Sequence, residues 1–269
     1  MFLKPSPEDL ARLTSAARFP RLPDGRPAVP EALLERLTTV STEEAWDTLR
    51  KNGYQHQFEA GWFQTHPQTV LVGRVVTAVM MPFRPDLDEL VNDIGASAGL
   101  SGRQNAWVIE TLDIGDVMVV DFFGKIDKGT FIGDNLATSL REHTRAGAII
   151  DGAIRDLPGI ASLDQLAVFC RGVHPTAIAD ATLVGLNVPI RIGNVTVLPG
   201  DVALGTPTGV VFVPPHLVEE VVERSELTHL RDDFSHERLR QQTYTPSQLD
   251  REDWSETILA DFEAWRRSR

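Results

Sequence analysis

Apolar and polar positions alternate along this chain in patterns that predict a run of helices and strands. Within Asn135–Ala146, Leu136 and Leu140 stand at i and i+4 with polar residues on the other faces, so the spacing predicts a helix that Gly147 stops. Ala148-Ile149-Ile150 is short and wholly apolar, the pattern of a buried strand, and Asp151-Gly152 is expected to end it. Arg155-Asp156, just before Leu157-Pro158-Gly159, then falls at an element end, where a fixed scaffold displays chemistry. Val70–Met81, rich in β-branched Val72, Val75, Val76 and Val79, reads as a long buried strand that Pro82 stops. Leu87, Leu90, Val91 and Ile94 mark a helix over Asp86–Ile94, and Asn105–Leu112 reads as another.

Local signals add the ends. Ser6-Pro7-Glu8-Asp9 has a capping serine, proline at the first helical position and acids in the first turn. Ser41-Thr42-Glu43-Glu44 is a capping box, and its helix, through Trp46 and Leu49, ends near Gly53. Pro20–Pro30 holds four prolines and one glycine, which predicts an extended surface arm outside the core. Gly115-Asp116 and Gly200-Asp201 each precede a strand and predict matching corners of a folded-over sheet or a small barrel, with both aspartates as turn residues. Gly205-Thr206-Pro207-Thr208-Gly209 lacks the lysine of a phosphate loop and reads as a hairpin turn. Pro214-Pro215 opens a helix through Leu217, Val218, Val221 and Val222, and the charged run Glu223–Arg240 prolongs it or adds a second. After the turn-rich Tyr244–Asp250, the residues Trp254, Ile258, Phe262 and Trp265 form one helical stripe, which needs its own domain or a neighbouring subunit to cover it.

With 269 residues the chain can bury one full core with extensions, or at most two small domains. Its net charge of −12 speaks against a nucleic-acid groove and against an anionic membrane surface, so an anionic substrate has to be held by local positive charge. The single Cys170 excludes an internal disulfide framework and reads as a buried small hydrophobe. No signal peptide or long apolar run is visible, which makes a cytoplasmic location the expectation.

Four positions carry candidate chemistry. Asp156 is a hard oxygen ligand suited to Mg²⁺, which keeps most of its waters; the competing reading is a cap for the turn that follows. Arg155 is always charged and can stabilise a ketone oxygen that becomes an enolate, or it is a surface arginine paired with Asp151 or Asp156. Gly133-Asp134-Asn135-Leu136 offers helix-start N–H groups to a substrate carboxylate, with Asp134 as a cap or as a group that orients a water. The seven histidines include no zinc pattern, and His174 reads as structural. Only Lys4, Lys51, Lys125 and Lys128 could serve a Schiff-base route, which puts metal–enolate chemistry ahead.

Gly-Asp at a helix start followed by Gly152-Ala153-Ile154-Arg155-Asp156 resembles the RraA-like family of divalent-metal 4-hydroxy-4-methyl-2-oxoglutarate aldolases and regulators of ribonuclease activity. Leu71–Thr77 resembles its early strand, Gly193–Asp201 its late hairpin, and Gly209–Pro214 follows in order. The resemblance implies an α/β fold, swivelling phosphohistidine-domain-like, an α/β/β sandwich with a folded-over central sheet and flanking helices. It divides the chain into an N-terminal helix and arm (1–39), a catalytic domain (40–240) and a C-terminal tail (241–269). It implies Mg²⁺ or Mn²⁺ on Asp156, pyruvate bound by Gly133, Asp134, Asn135, Leu136 and Arg155, and Asp134 near the reacting carbon. The implied activity is cleavage of a 4-hydroxy-2-keto acid to pyruvate, with oxaloacetate decarboxylation through the same enolate; the alternative is a non-catalytic regulator of the ribonuclease-inhibitor type. Homotrimers or homohexamers are implied too, with an acid such as Glu226, Asp232 or Asp233 reaching a neighbour's metal.

Overall fold

The computed structural model of the chain describes residues 4–251 and 253–268. The first helices are α1 (Pro7–Leu13), α2 (Glu31–Leu37) and α3 (Thr42–Lys51). Ser6 accepts the Asp9 amide at 3.2 Å and Ser41 the Glu44 amide at 3.1 Å, each satisfying an N–H that has no helical acceptor. Next come β1 (Phe58–Glu59), β2 (Phe63–Gln64), β3 (Leu71–Pro82), α4 (Pro85–Ser97), α5 (Gln104–Ile109), β4 (Asp116–Thr130), α6 (Asp134–Thr144), β5 (Gly147–Ile154), α7 (Leu157–Ala161) and β6 (Ala167–Val173). The later strands are β7 (Ala181–Leu186), β8 (Ile190–Ile192), β9 (Val195–Val197), β10 (Val202–Thr206) and β11 (Gly209–Val213). Helices α8 (Val218–Arg240), α9 (Pro246–Leu249) and α10 (Glu256–Arg267) end the described chain.

One mixed sheet runs β1-β11-β10-β3-β4-β5-β6-β2, with β7 also on β3 and β8–β9 as a separate ribbon. Strands β3 to β6 are parallel, joined through helices, and the other pairs are antiparallel. The α/β class expected from the sequence is therefore the architecture found, a central mixed sheet with flanking helices. The period of two along a strand sorts the core. Val117 and Val119 pack with Ile149, Phe169 and Ile192 of the ribbon side, whereas Met118 and Val120 pack with Leu140, Ile150 and Trp107 of the helix side. A third cluster joins Val202, Leu204 and Val211 to Leu37, Leu49 and Val218 of the helices.

Two boundaries differ from the sequence reading. Arg145, at φ 52°, ends α6 in the left-handed conformation, and Gly147 instead starts β5, where a Cβ would collide with the Ala167 carbonyl. Strand β5 also runs past Asp151-Gly152 to Ile154, because Asp151 is neutralised in place by Arg171 Nε at 2.7 Å.

The proline-rich stretch is a further correction. It is extended, but Arg26 and Val29 are each 1% exposed, and Arg26 reaches into the fold to grip Asp116 with Nη1 at 3.0 Å and Nη2 at 2.9 Å. A chain with four prolines still belongs to the core when it carries a guanidinium that a buried carboxylate needs.

The two Gly-Asp corners are local copies. Asp116 accepts the Asp113 amide at 3.0 Å and Asp201 the Leu198 amide at 2.9 Å. Of the two, Asp116 alone has an arginine partner among the described residues, and burial pushes the Asp201 carboxyl from the usual 3.8 up to about 7. Between those values the folded chain keeps a proton that the unfolded chain has lost, so this group's contribution is full below about pH 4 and is lost as pH rises to 7. Asp201→Asn, which keeps an acceptor for Leu198, is expected to raise the thermal midpoint at pH 8 and leave it nearly unchanged at pH 4. Equal shifts at both pH values would refute the titration.

Helix α8 is continuous, so the charged run prolongs the helix that Pro215 opens. The stripe of α10 is covered by α8 of the same chain: Phe234 meets Trp254, Phe262 and Trp265 with centroids 5.4, 5.4 and 5.6 Å apart, and Arg238 clamps Asp261 at 2.8 and 2.7 Å. The stripe thus gives no reason to invoke a neighbouring subunit. No helix among the described residues is long and apolar enough to cross a membrane.

Candidate functional site

Three elements converge at the carboxyl end of β5. The Arg155 amide donates to the Ile132 carbonyl at 3.0 Å, which ties the strand end to the residues that lead into α6. In an extended chain Arg155 and Asp156 would point apart. Asp156 instead adopts φ 56°, ψ 39°, and this left-handed kink brings its Oδ2 to 3.2 Å from Arg155 Nη1. Both side chains stay about a third exposed (36% each), so the pair itself contributes little stability. Asp156 makes no side-chain cap to α7, and its Oδ1 has no hydrogen-bond partner among the described residues. Aspartate is one of the residue types that adopt this left-handed conformation readily, and here it turns the carboxylate back toward Arg155 without capping α7.

Gly133 leaves room for this pair, and a larger residue would displace both side chains. A Cβ there would collide with Asp156 Oδ2 and lie 2.9 Å from Arg155 Nε. The Asp134 side chain turns back on the helix start, with Oδ1 accepting the Asn135 amide at 2.8 Å. The Asn135 amide is therefore not free, contrary to the expectation for all of this loop; the amides of Asp134 and Leu136 remain without an acceptor among the described residues. Gly159 of α7 packs under Asp134, where a Cβ would lie 3.1 Å from Oδ2.

A cavity of about 390 Å³ opens beside this corner, and Gly133, Asn135, Leu136 and Arg155 stand in its wall. Asp134 and Asp156 adjoin it through Gly133 and Arg155 but do not line it. No lysine lines it, which leaves a Schiff-base route without its nucleophile there. Among the described residues no three His, Cys, Asp or Glu side chains gather to hold a metal. The residues present fit a cation that takes one or two carboxylates and keeps its waters, with Asp156 as the carboxylate that has an unused oxygen.

Two wall residues escaped the sequence reading. Asn105, 3% exposed, donates from Nδ2 to the Phe131 carbonyl at 2.6 Å while its Oδ1 has no partner. Arg103 donates from Nη1 to the Ile178 carbonyl at 2.7 Å. Neither belongs to a motif; the signal is a buried amide half satisfied, which only packing reveals.

Other candidates resolve locally. His174 is engaged by Thr176 Oγ1 at 2.9 Å and Asp127 at 3.2 Å, as a structural histidine is. Glu226 is gripped by Arg36 at 2.8 Å through both oxygens, so it has a role within its own chain. Asp232 stands in a larger hollow of about 720 Å³ between α3 and α8, whose rim mixes Glu43 and Asp47 with Lys51 and Arg224 and shares no residue with the first cavity.

The chain is similar to known proteins. The chain is 33% identical over 124 residues to a Halalkalibacterium halodurans protein named "Putative 4-hydroxy-4-methyl-2-oxoglutarate aldolase", a match covering 46% of this chain and 58% of that one. A protein of the same name from Ectopseudomonas mendocina is 34% identical over 118 residues, covering 43% of this chain and 72% of its own. The first of these relatives is thus matched over less than two thirds of its length. Among solved structures, Streptomyces coelicolor RraAS2, described as an unusual member of the RNase ES inhibitor RraA protein family, superposes with a TM-score of 0.66 at 27% identity, over 78% of this chain and 98% of its own. A Pseudomonas syringae pv. tomato protein shares the fold with a TM-score of 0.67 at 23% identity, over 82% of this chain and 94% of its own. The RraA-like family, Aldolase/RraA, matches residues 42–212, the span that contains the parallel strands, the α6 start and the Arg155-Asp156 corner, and the chain belongs to that family.

Proposed function

We propose that this protein is a carbon–carbon lyase that cleaves a 4-hydroxy-2-keto acid to pyruvate with the help of a divalent cation, Mg²⁺ or Mn²⁺. The observation that supports it most is the placement of Arg155 in the wall of a cavity beside two unused helix-start amides, with Asp156 turned back onto it. The names of the aldolase relatives point the same way.

The chain's own residues supply most of the chemistry. The Asp134 and Leu136 amides, at the positive end of the eleven-residue α6, receive the substrate carboxylate. Arg155 lies along the 2-keto oxygen and stabilises the negative charge that gathers there as the C3–C4 electron pair moves toward C2. Asp134 Oδ2, which has no hydrogen-bond partner among the described residues, takes up the 4-hydroxyl proton through a water, so that C4 leaves as a carbonyl. A proton added at C3 completes pyruvate. Asp156 would hold the cation, which when bound supplies Lewis-acid polarisation of the keto acid. Oxaloacetate presents the same 2-keto acid and loses carbon dioxide to the same enolate, so decarboxylation is a second activity of this site.

The test is pyruvate release over a panel of 4-hydroxy-2-keto acids and oxaloacetate, with Mg²⁺ and with EDTA. Turnover that EDTA abolishes supports the reading; no turnover of any member with Mg²⁺ present overturns it in favour of a non-catalytic regulator. Arg155→Lys keeps the charge but loses the fixed fork, and kcat is expected to fall by roughly tenfold or more. An unchanged kcat with a raised KM would make Arg155 a binding residue only.

A further inference from the structure

The cavity has two ends, and its hydrogen bonds give their order. At one end Arg155 is joined to Ile132, next to Gly133 and the start of α6. In the middle Asn105 is joined to Phe131, next to Ala106. At the other end Arg103 is joined to Ile178, next to Ala177. The part of the cavity that a keto acid on Arg155 and the α6 amides would leave open is the part lined by Asn105 and Arg103.

Two properties of that remote half are not used by the reaction proposed above. The first is its size and polarity. The whole cavity, the Arg155 end included, measures about 390 Å³, within the range of about 300–1,000 Å³ that takes drug-sized ligands. Ala106, Ala177 and Ile178 stand in this half of the wall, whereas the Phe131 ring packs into the core against Phe122. The second is Arg103. One Nη1 bond to a carbonyl anchors the guanidinium, and it pairs with no carboxylate among the described residues. An arginine fork with unused donors in a wall of carbon is matched by a carboxylate, which accepts two parallel bonds. Arg103 is exposed at the open end of the cavity, and on a chain with a net charge of −12 a cation there with no carboxylate partner among the described residues is also where the local potential favours an anion.

Resting on the lyase reading of the same site, we propose that Arg103 is its specificity-determining residue and selects 4-hydroxy-2-keto acids whose C4 substituent is an apolar body of aryl size bearing a second carboxylate. The apolar wall covers the ring, and Arg103 receives the acid at its far side. Cleavage then yields pyruvate and an acid-bearing aryl aldehyde.

The experiment uses the full chain with Mg²⁺ and four substrates: 4-hydroxy-2-oxopentanoate, 4-hydroxy-2-oxoglutarate, 4-hydroxy-2-oxo-4-phenylbutanoate and its 4-carboxyphenyl analogue. The carboxyphenyl compound is expected to show the highest kcat/KM. Arg103→Gln should lower that value by about thirtyfold, the loss expected for a charge-assisted hydrogen bond, and change the phenyl compound by less than about threefold. Arg103→Lys should recover part of the loss, and unaltered thermal unfolding of both variants separates recognition from folding. A carboxyphenyl compound no better than the phenyl compound, or a Gln variant that slows both alike, overturns the role of Arg103. The compact 4-hydroxy-2-oxoglutarate outrunning the carboxyphenyl compound overturns the apolar body. These failures leave turnover of other members intact, whereas no turnover of any of the four overturns the lyase reading and this inference with it.

Discussion

Asp156→Asn is expected to reduce Mg²⁺-dependent pyruvate release by at least about a hundredfold while leaving the fold unchanged. The substitution removes the charge and keeps a residue type that tolerates the left-handed conformation of φ 56° at this corner. The carboxylate makes no cap to α7, and its partner is the neighbouring Arg155, itself about a third exposed, so the core does not lean on it. Thermal unfolding should therefore shift by no more than about 1 kcal/mol equivalent. Asp156→Ala should lose activity equally but be less stable, since alanine gains nothing from positive φ. Steady-state pyruvate release with and without EDTA, beside a melting curve, checks both parts. A Asn variant with normal Mg²⁺-dependent turnover, or wild-type turnover that persists in EDTA, would remove Asp156 from the reaction.

The strand-to-turn position of Arg155 and Asp156 was legible because it follows from local pattern: an apolar run, a helix before it, Pro158-Gly159 after it. The direction of the side chains was not, because it depends on one backbone angle that the flanking residues allow but do not require. Long-range charge pairing hid more. Asp151 looks like a strand end until Arg171, 20 residues on, is found against it. Pro20–Pro30 looks like a solvated arm until Arg26 is found on Asp116, 90 residues away. The α10 stripe was readable as a buried face, but the choice of cover was open, since energy from burying indole and phenyl rings is the same on α8 as on a partner. Asn105 and Arg103 had no pattern to betray them: their significance lies in which of their polar atoms packing leaves unmatched.

Arg26→Met is expected to cost about 3–5 kcal/mol of folding stability, the penalty for leaving one partner of a buried ion pair uncompensated. Asp116 is fully buried, and the two short bonds from Arg26 are its main counter-charge; Arg74 Nε stands farther off at 3.6 Å. Arg26 also reaches the Val75 carbonyl at 3.4 Å and is held from the solvent side by Asp24, so its loss frees the proline-rich stretch from the start of β4 as well. The change acts on the parallel sheet that carries Arg155 and not on the cavity, so kcat at low temperature should stay within about twofold while urea unfolding moves strongly. A paired substitution distinguishes charge from packing. Arg26→Met with Asp116→Asn keeps an acceptor for the Asp113 amide at 3.0 Å and removes the stranded charge, and it should recover most of the lost stability. If the double variant is no more stable than Arg26→Met alone, the guanidinium acts through the shape it fills. If Arg26→Met costs less than about 1 kcal/mol, the stretch from Pro20 to Pro30 is not anchored by this pair in solution.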